Sequence, residues 1–600
     1  MIQIYKSTLM RLAAVGCLCV VAAGCDLDQT PVSSTNAEAV FGTQAGLQLY
    51  ANSFTNNLPG LTSITNGDNM SDYLAVRGPS NFLLAGQYTP TSRGSWSWSA
   101  LRNLNFFLAN NVGDAVAPAV RNNYNGLARF YRALFYFNMV KTYGDVQWID
   151  HPIEITDSAS LFAGRDKREV VMQHVLDDLD YAIANITAET DASRTTITKD
   201  VARAWKSRIA LFEGTFRKYH ANDLAQGLGS TANTWLQAAA DAAQQVMDGG
   251  HFSLNTAGGT DNSYRQLFIS ETAPASETML VYAEDATQGV LHQANWDYTS
   301  ATTGVGASLV RQFINTYLMI DGTPFTDIPG HDTLSFMTET KGRDKRLQQT
   351  IRMGSYKRLN AGVLVPAVPA FTQALTGYMP IKWTTDDAGA DVCACNTNDI
   401  AINRYAEVLL NYAEAKAELG TITDDDWAKT IGALRARAGI TGGLTTLPTQ
   451  VDPYLQQTYF PDISSAVILE IRRERGIELV LEGLRFADLI RWKHGELLST
   501  ANMPWEGFYV PAANQPIDLN EDGTPDVFFY TGTAPTTTLP GVLYINVSGG
   551  TQQRSLLNND HGQLQWLINT QRVWDDKMYL YPISTTDLTV NPKLGQNPGW

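Results

Sequence analysis

Cysteine is nearly missing from this chain, with five in 600 residues. Cys17, Cys19 and Cys25 crowd the N-terminus, and only Cys393 and Cys395 lie in the body. That excludes a disulfide-built scaffold. One Cys-Ala-Cys pair with no histidine beside it in sequence cannot supply the four ligands of a structural zinc, so it reads as a loop with free or locally oxidised thiols. Basic residues are also short: 44 Lys and Arg face 60 Asp and Glu, a formal net charge of −16. A surface of that sign repels phosphate backbones and has no electrostatic hold on anionic lipid, which argues against a nucleic-acid partner. No His-Glu-x-x-His, Gly-x-Ser-x-Gly or Walker loop is present, and the eight histidines are dispersed in sequence. Long apolar runs are missing too. The one exception, Leu12 to Ala23, is too short to cross a bilayer comfortably.

That exception reads as an address. Lys6 and Arg11 precede the apolar run, and residues 1–24 form an export signal. Ala22-Ala23-Gly24 before Cys25 resembles a bacterial lipobox, in which the cysteine is acylated and becomes the first mature residue. Ala22 stands where such motifs favour leucine, and the competing reading is secretion with cleavage near an Ala-x-Ala site. Buried acyl chains contribute about 0.8 kcal/mol per methylene, so more than one chain gives stable anchoring on a membrane without crossing it.

Apolar material is plentiful, at 44% of residues with 13 Trp and 25 Tyr, enough for a large core. Residues 25–45, rich in Asp, Thr, Ser and Asn, read as a tether. Residues 46–250 read as an N-terminal helical region, with a first helix over Gly42 to Phe54 and a long polar loop over 55–95. Leu127, Phe130, Leu134, Phe137 and Val140 recur at helical spacing before Gly144. Further helices are expected over Val170 to Ile186, Thr198 to Phe212 with Thr198 as N-cap, and Thr234 to Met247. Residues 251–600 read as a second region. It has irregular insertions, a strand-like Thr278 to Tyr282, helices at Ile402 to Leu419, Asp424 to Ala438, Ile463 to Leu481 and Phe486 to His494, and a loop-rich end. The fold class is mainly α: a tetratricopeptide-like scaffold of helix pairs with long irregular loops and a few short strands. Function on such scaffolds sits on the loops.

Five separated blocks carry a family pattern: Ala128 to Trp148 with its Tyr143-Gly144-Asp145-Val146, Thr198 to Phe212, Arg404 to Gly420, Ile471 to Trp492, and the closing Tyr579 to Ser584 with Asn591 to Trp600. In their order they resemble the SusD/RagB family of nutrient-uptake lipoproteins, while the loops between them do not match strongly. Asp26 and Asp28 after Cys25 resemble the signals that send such lipoproteins to the outer leaflet in Bacteroidota. The resemblance implies a surface lipoprotein of the outer membrane that is not an enzyme. It would bind a nutrient, most often an oligosaccharide, and pass it to a SusC-like TonB-dependent barrel. It also implies where ligand contacts lie. Glycan-binding members place aromatic platforms and polar groups in the early and middle loops, which here hold Asp72, Tyr73, Arg77, Trp96, Trp98 and Asn103, then Trp296 and Tyr298. Each of these rings could equally be a core anchor. The rival readings are a surface glycosidase, which needs two carboxylates about 5–10 Å apart, and a structural surface protein without a small ligand.

Two further patterns carry physical meaning. Glu470, Arg473, Glu474, Arg475, Glu478 and Glu482 place opposite charges on one helical face, worth about 0.2–0.5 kcal/mol per pair if exposed. Arginines interleaved with those carboxylates hold them ionised, which disfavours acid/base chemistry there. Asp518, Asn520, Asp522 and Asp526, with Gly523 at position 6 and the Thr524 carbonyl at position 7, match a calcium loop without the closing bidentate Glu, since Phe529 occupies position 12. The alternative is an Asp/Gly-rich turn. No catalytic cofactor is implied.

Overall fold

The computed structural model describes residues 37–300, 304–550 and 553–600. The export segment, Cys25, Asp26 and Asp28 lie outside the described residues. The longer helices of the first half are α1 (Gln44–Asn52), α2 (Ser99–Asn110), α3 (Pro118–Tyr143), α4 (Arg168–Asn185), α5 (Lys199–Tyr219) and α6 (Ala232–Gly249). Pro118 sits in the first turn of α3, where an N–H has no helical partner to lose. Thr198 caps α5 as its sequence implies, accepting the Val201 amide at 3.3 Å. α3 packs on α4 and α5 on α6, the pairing expected of a tetratricopeptide-like scaffold.

In the second half, α7 (Ala294–Thr299) packs on the Ala388–Val392 turn, while α8 (Tyr405–Glu418), α9 (Ala466–Glu478) and α10 (Arg485–Trp492) return to that scaffold. α8 packs on α5, α6 and α9, and α10 packs on α5. One buried cluster runs from Phe41 to Leu594, so the two regions share a core. The strands are short: β1 (Leu74–Ala75), β2 (Thr278–Tyr282), β3 (Ser308–Leu309), β4 (Lys357–Asn360), β5 (Val363–Pro366), β6 (Ile400–Arg404), β7 (Glu506–Val510), β8 (Gln515–Ile517), β9 (Val527–Tyr530), β10 (Leu543–Asn546), β11 (Arg554–Leu556) and β12 (Gly562–Trp566). β1 pairs antiparallel with β3, placing Leu74 opposite Leu309. β2 pairs antiparallel with β6, and β12 lies between β7 and β11. β9 runs antiparallel to β8 and parallel to β10.

Several expectations change. A helix over Ala37–Phe41 occupies part of the supposed tether, and Phe41 is buried. The 55–95 segment is no open loop: residues 71–76 are all buried and β1 lies within them. Both faces of an extended buried segment are apolar or paired, so it shows no periodicity. The Asp424 to Ala438 helix is interrupted by a π turn over Ala428–Gly432. Residues 500–600 hold two three-stranded sheets. Cys393 and Cys395 are joined by a disulfide.

The largest correction concerns α9. Its charges do not form a solvated ladder, because the helix is buried on all sides from Leu469 onward. Glu478 accepts from Arg437 at 2.5 and 2.6 Å, from Arg346 at 3.0 Å and from Arg404 at 3.1 Å. Glu474 accepts from Arg346 at 2.5 Å and Arg435 at 3.1 Å. Glu277 joins Arg404 at 2.6 Å to Arg437 at 3.0 Å, and Glu482 joins Arg404 to Lys382. These partners come from segments far apart in sequence, so the network clamps the second half of the chain together.

An acid-stability prediction arises here. Burial alone pushes Glu470, Glu478 and Glu482 up, but the facing cations pull harder and hold all three below the ordinary value of 4.5. The same balance holds Glu213 and Glu414 below 4.5, and Asp488 below 3.8. The unfolded chain therefore takes up protons more readily than the folded one. The stability these groups contribute is present above their unfolded values and is lost as pH falls through the folded ones. The Tm followed by circular dichroism is expected to hold from about pH 7 to 5 and fall steeply below about 4.5. A Tm unchanged down to about pH 3 would contradict this.

Candidate functional site

Two loop regions that are distant in sequence meet on one side of the scaffold. Asn66 Nδ2 donates to Asp297 Oδ2 of α7 at 2.8 Å. The Arg77 amide donates to the Val305 carbonyl at 3.4 Å, and its guanidinium reaches the carbonyls of Ser300 and Thr372 at 3.5 Å. Gly306 makes this crossing feasible. Its φ is +59°, and a Cβ there would sit 2.6 Å from Arg77 Cγ.

The junction encloses a cleft of about 710 Å³ lined by Asn66, Asn69, Arg77, Tyr88, Arg93 and Tyr581, among others. Its rings are held in place. Tyr581 stacks on Phe82 with centroids 4.5 Å apart, and Tyr88 stands edge-on to Phe82 at 5.1 Å and to Tyr581 at 5.9 Å. Arg93 lies 4.8 Å over the Tyr581 ring and donates to the Tyr143 hydroxyl at 2.6 and 2.9 Å. The side-chain carbonyl oxygens of Asn66 and Asn69 are buried and accept no hydrogen bond. The cleft thus combines aromatic faces, guanidinium groups and amide acceptors awaiting a donor.

Tyr143 extends the band of rings. Trp96 packs against it at 5.1 Å, Trp98 follows at 5.6 Å from Trp96, and Phe135 lies 5.9 Å beyond. Both tryptophans are half-buried. Trp98 also lines a smaller cavity of about 210 Å³ with Leu101, Ile149 and His151. Trp296 is half-buried on α7, one residue before the Asp297 that binds Asn66.

Of the residues assigned to ligand from sequence, Arg77 lines the cleft, Trp96 and Trp98 continue its ring band, and Trp296 does not line it but precedes the Asp297 that holds Asn66. The others do not reach it. Asp72 is 0% exposed and holds Arg485 through two hydrogen bonds of 2.7 and 2.8 Å. Tyr73 is 1% exposed; its hydroxyl donates to Asp68 at 2.6 Å and accepts from the Leu481 amide at 2.9 Å. Tyr298 is 1% exposed and donates to the Thr65 carbonyl. Asn103 clips α2 to α1, accepting the Tyr50 hydroxyl at 2.7 Å. These four fasten the scaffold. Burial pushes Asp68, beneath Tyr73, up to about 6, against the pull of the Tyr73 hydroxyl and the Gly483 and Arg485 amides. Tyr88, Arg93, Tyr581, Asn66 and Asn69 went unassigned. All but Tyr581 lie in the polar 55–95 segment, where nothing local distinguishes Tyr88 from Tyr73.

The 518–526 loop is a compact turn between β8 and β9. Asp518 accepts the amides of Asn520 at 3.1 Å and Gly523 at 2.8 Å, Asn520 accepts that of Asp522 at 3.0 Å, and Asp522 accepts that of Thr524 at 2.9 Å. Asp526 accepts the Leu519 amide at 2.7 Å, and burial, then Asp518 and Asp522, raise its pKa. Among the described residues, no three His, Cys, Asp or Glu side chains are already gathered for a metal ion.

Comparison with known proteins agrees with this architecture. The model of the SusD family matches residues 276–600. "SusD-like protein P2" of Formosa agariphila is 24% identical over 519 residues, covering 82% of this chain and 91% of that protein. A SusD-like protein from Bacteroides fragilis superposes with a TM-score of 0.67 at 19% identity, over 95% of this chain and all of that one. A SusD-like carbohydrate-binding protein, also from Bacteroides fragilis, gives 0.65 at 18% identity over 93% of this chain and 100% of its own. The matched region spans β2 to Trp600, more than half of the molecule, and the chain belongs to the SusD family.

Proposed function

We propose that this protein is a lipoprotein of the outer-membrane surface, acylated at Cys25, that binds an oligosaccharide and delivers it to a SusC-like TonB-dependent barrel without breaking a bond. The observation that carries the reading is the cleft between the 66–93 segment, Gly304 and Val305, and Tyr581. Sugar C–H faces stack on rings, while guanidinium and amide groups hydrogen-bond hydroxyls. A pocket that is largely preformed, with few polar groups, suits such a ligand. Arg77, Tyr88, Arg93 and Tyr581 would contact it, with Trp96, Trp98 and Trp296 flanking. The carbohydrate-binding relative of the same fold adds support. No helix among the described residues is long and apolar enough to cross a membrane. A glycan array followed by calorimetry tests binding, and co-purification from detergent tests the barrel. Sugar release that a single Asp or Glu substitution abolishes would defeat the binding-only reading.

Calcium at Asp518, Asn520, Asp522, Thr524 and Asp526 remains a separate structural proposal. An ion would neutralise the repulsion that raises Asp526 and stabilise by about 2.7 kcal/mol at a hundredfold excess over its Kd. Calcium should then raise the Tm over a chelator control, and Asp522→Ala should erase the rise. No rise in the unsubstituted protein would dismiss the site.

A further inference from the structure

α3, α5 and α10, with residues 57–64, enclose a second cavity of about 300 Å³ away from the ring band. Leu58, Ile64, Phe137, Leu211 and Phe212 make much of its wall apolar. Nearly all its charges are matched. Arg208 forks onto Glu407, Arg475 reaches Asp488 at 2.8 Å, Arg491 joins Glu414 to Asp488, and Glu482 is held by Arg404 and Lys382. Lys141 is the exception. Among the described residues no carboxylate lies within ion-pairing distance and no acceptor takes its protons; its ammonium lies 5.3 Å from the Phe137 ring. Trp205, 4% exposed, also lines the cavity, and its Nε1 is buried without an acceptor. A buried indole N–H without an acceptor, in the same cavity as a half-buried cation without a counter-charge, is costly unless something fills the space.

We propose that this cavity binds a small organic carboxylate, with its oxygens on Lys141 Nζ and Trp205 Nε1 and its carbon skeleton against Phe137, Leu211 and Phe212. One unmatched cation calls for one negative charge. Apolar walls favour an organic anion over a fully hydrated inorganic one, and about 300 Å³ accommodates several carbons. There is a way in. An adjoining cavity shares Ser63, Lys141, Gly483 and Ala487 with this one, and shares Gly67 and Tyr581 with the glycan cleft. The site does not depend on the glycan reading. Burial, together with Arg208, lowers the Lys141 pKa to about 8, so binding should weaken as pH rises past that value and the amine loses its proton.

Calorimetry on the mature protein, with butyrate and D-glucuronate as probes and inorganic phosphate as control, tests the proposal. The expected result is saturable binding of at least one carboxylate at pH 7. Lys141→Met and Trp205→Phe should each weaken it at least tenfold, Lys141→Arg should restore it partly, and Lys141→Met should leave glycan binding unchanged. The proposal is overturned if neither carboxylate saturates, if phosphate alone binds, or if the folded Lys141→Met and Trp205→Phe proteins both bind as tightly as the parent.

Discussion

Replacing Glu478 with alanine should lower the free energy of unfolding by about 3–5 kcal/mol. Glu478 is fully buried and is shared by Arg346, Arg404 and Arg437. Removing it leaves those guanidiniums in a dry interior with one acceptor fewer, and none can swing out to water. The expected loss is the cost of the stranded charges, not the net worth of the pairs, because isolating one partner is far more damaging than replacing a whole network with apolar groups. Domains are typically stable by only about 5–15 kcal/mol, so the loss is a large share of the total. Glu478→Gln, which keeps the shape and one acceptor, should fall between. Urea unfolding followed by fluorescence measures the effect. Lys341→Ala, which opens an ion pair more than half exposed on both sides, serves as control and should leave the midpoint unchanged. Equal midpoints for Glu478→Ala and Lys341→Ala would mean that water reaches the network and that it is not a clamp.

The same helix shows where reading from sequence stops. Its spacing of Glu and Arg is what a solvated helical face would carry, and that is how periodicity alone interprets it. The deciding residues are Arg346, Arg404, Arg435 and Arg437, which lie 35 or more positions from their partners in most pairs. α3 was legible because its period and the Gly144 stop are local signals, and α5 begins where its Thr198 cap says but runs on to Tyr219, past the Phe212 end expected. The cleft was half legible. Composition singled out two loops that meet in the fold, where the Arg77 amide donates to the Val305 carbonyl. Which tyrosine faces ligand was not readable, because β1 pairing with β3 draws residues 71–76 into the core while Tyr88, a dozen residues later, emerges beside Tyr581. The pairing partner, Leu309, lies more than 200 residues away.

That contrast sets up the sharpest test of function. Tyr88→Ala should weaken glycan binding roughly thirtyfold, on the order of 2 kcal/mol, the scale of an aromatic anchor at the centre of a recognition site. Phe82, Tyr581 and Trp600 hold the Tyr88 ring from its edges, so little side-chain entropy remains to be lost on binding, and the stacking gain is retained. Tyr88→Phe should keep most of the affinity if the ring face is the contact, and lose it if the hydroxyl is. Trp96→Ala and Trp296→Ala, at the flanks, should each cost less than Tyr88→Ala. Tyr298→Ala should behave oppositely: its hydroxyl fastens Thr65 inside the core, so unfolding should come earlier while the folded fraction binds normally. Calorimetry and denaturation on the same samples separate the two effects. If Tyr88→Ala, Trp96→Ala and Trp296→Ala all bind as the parent does, the ligand sits elsewhere on the molecule and the ring band is only packing.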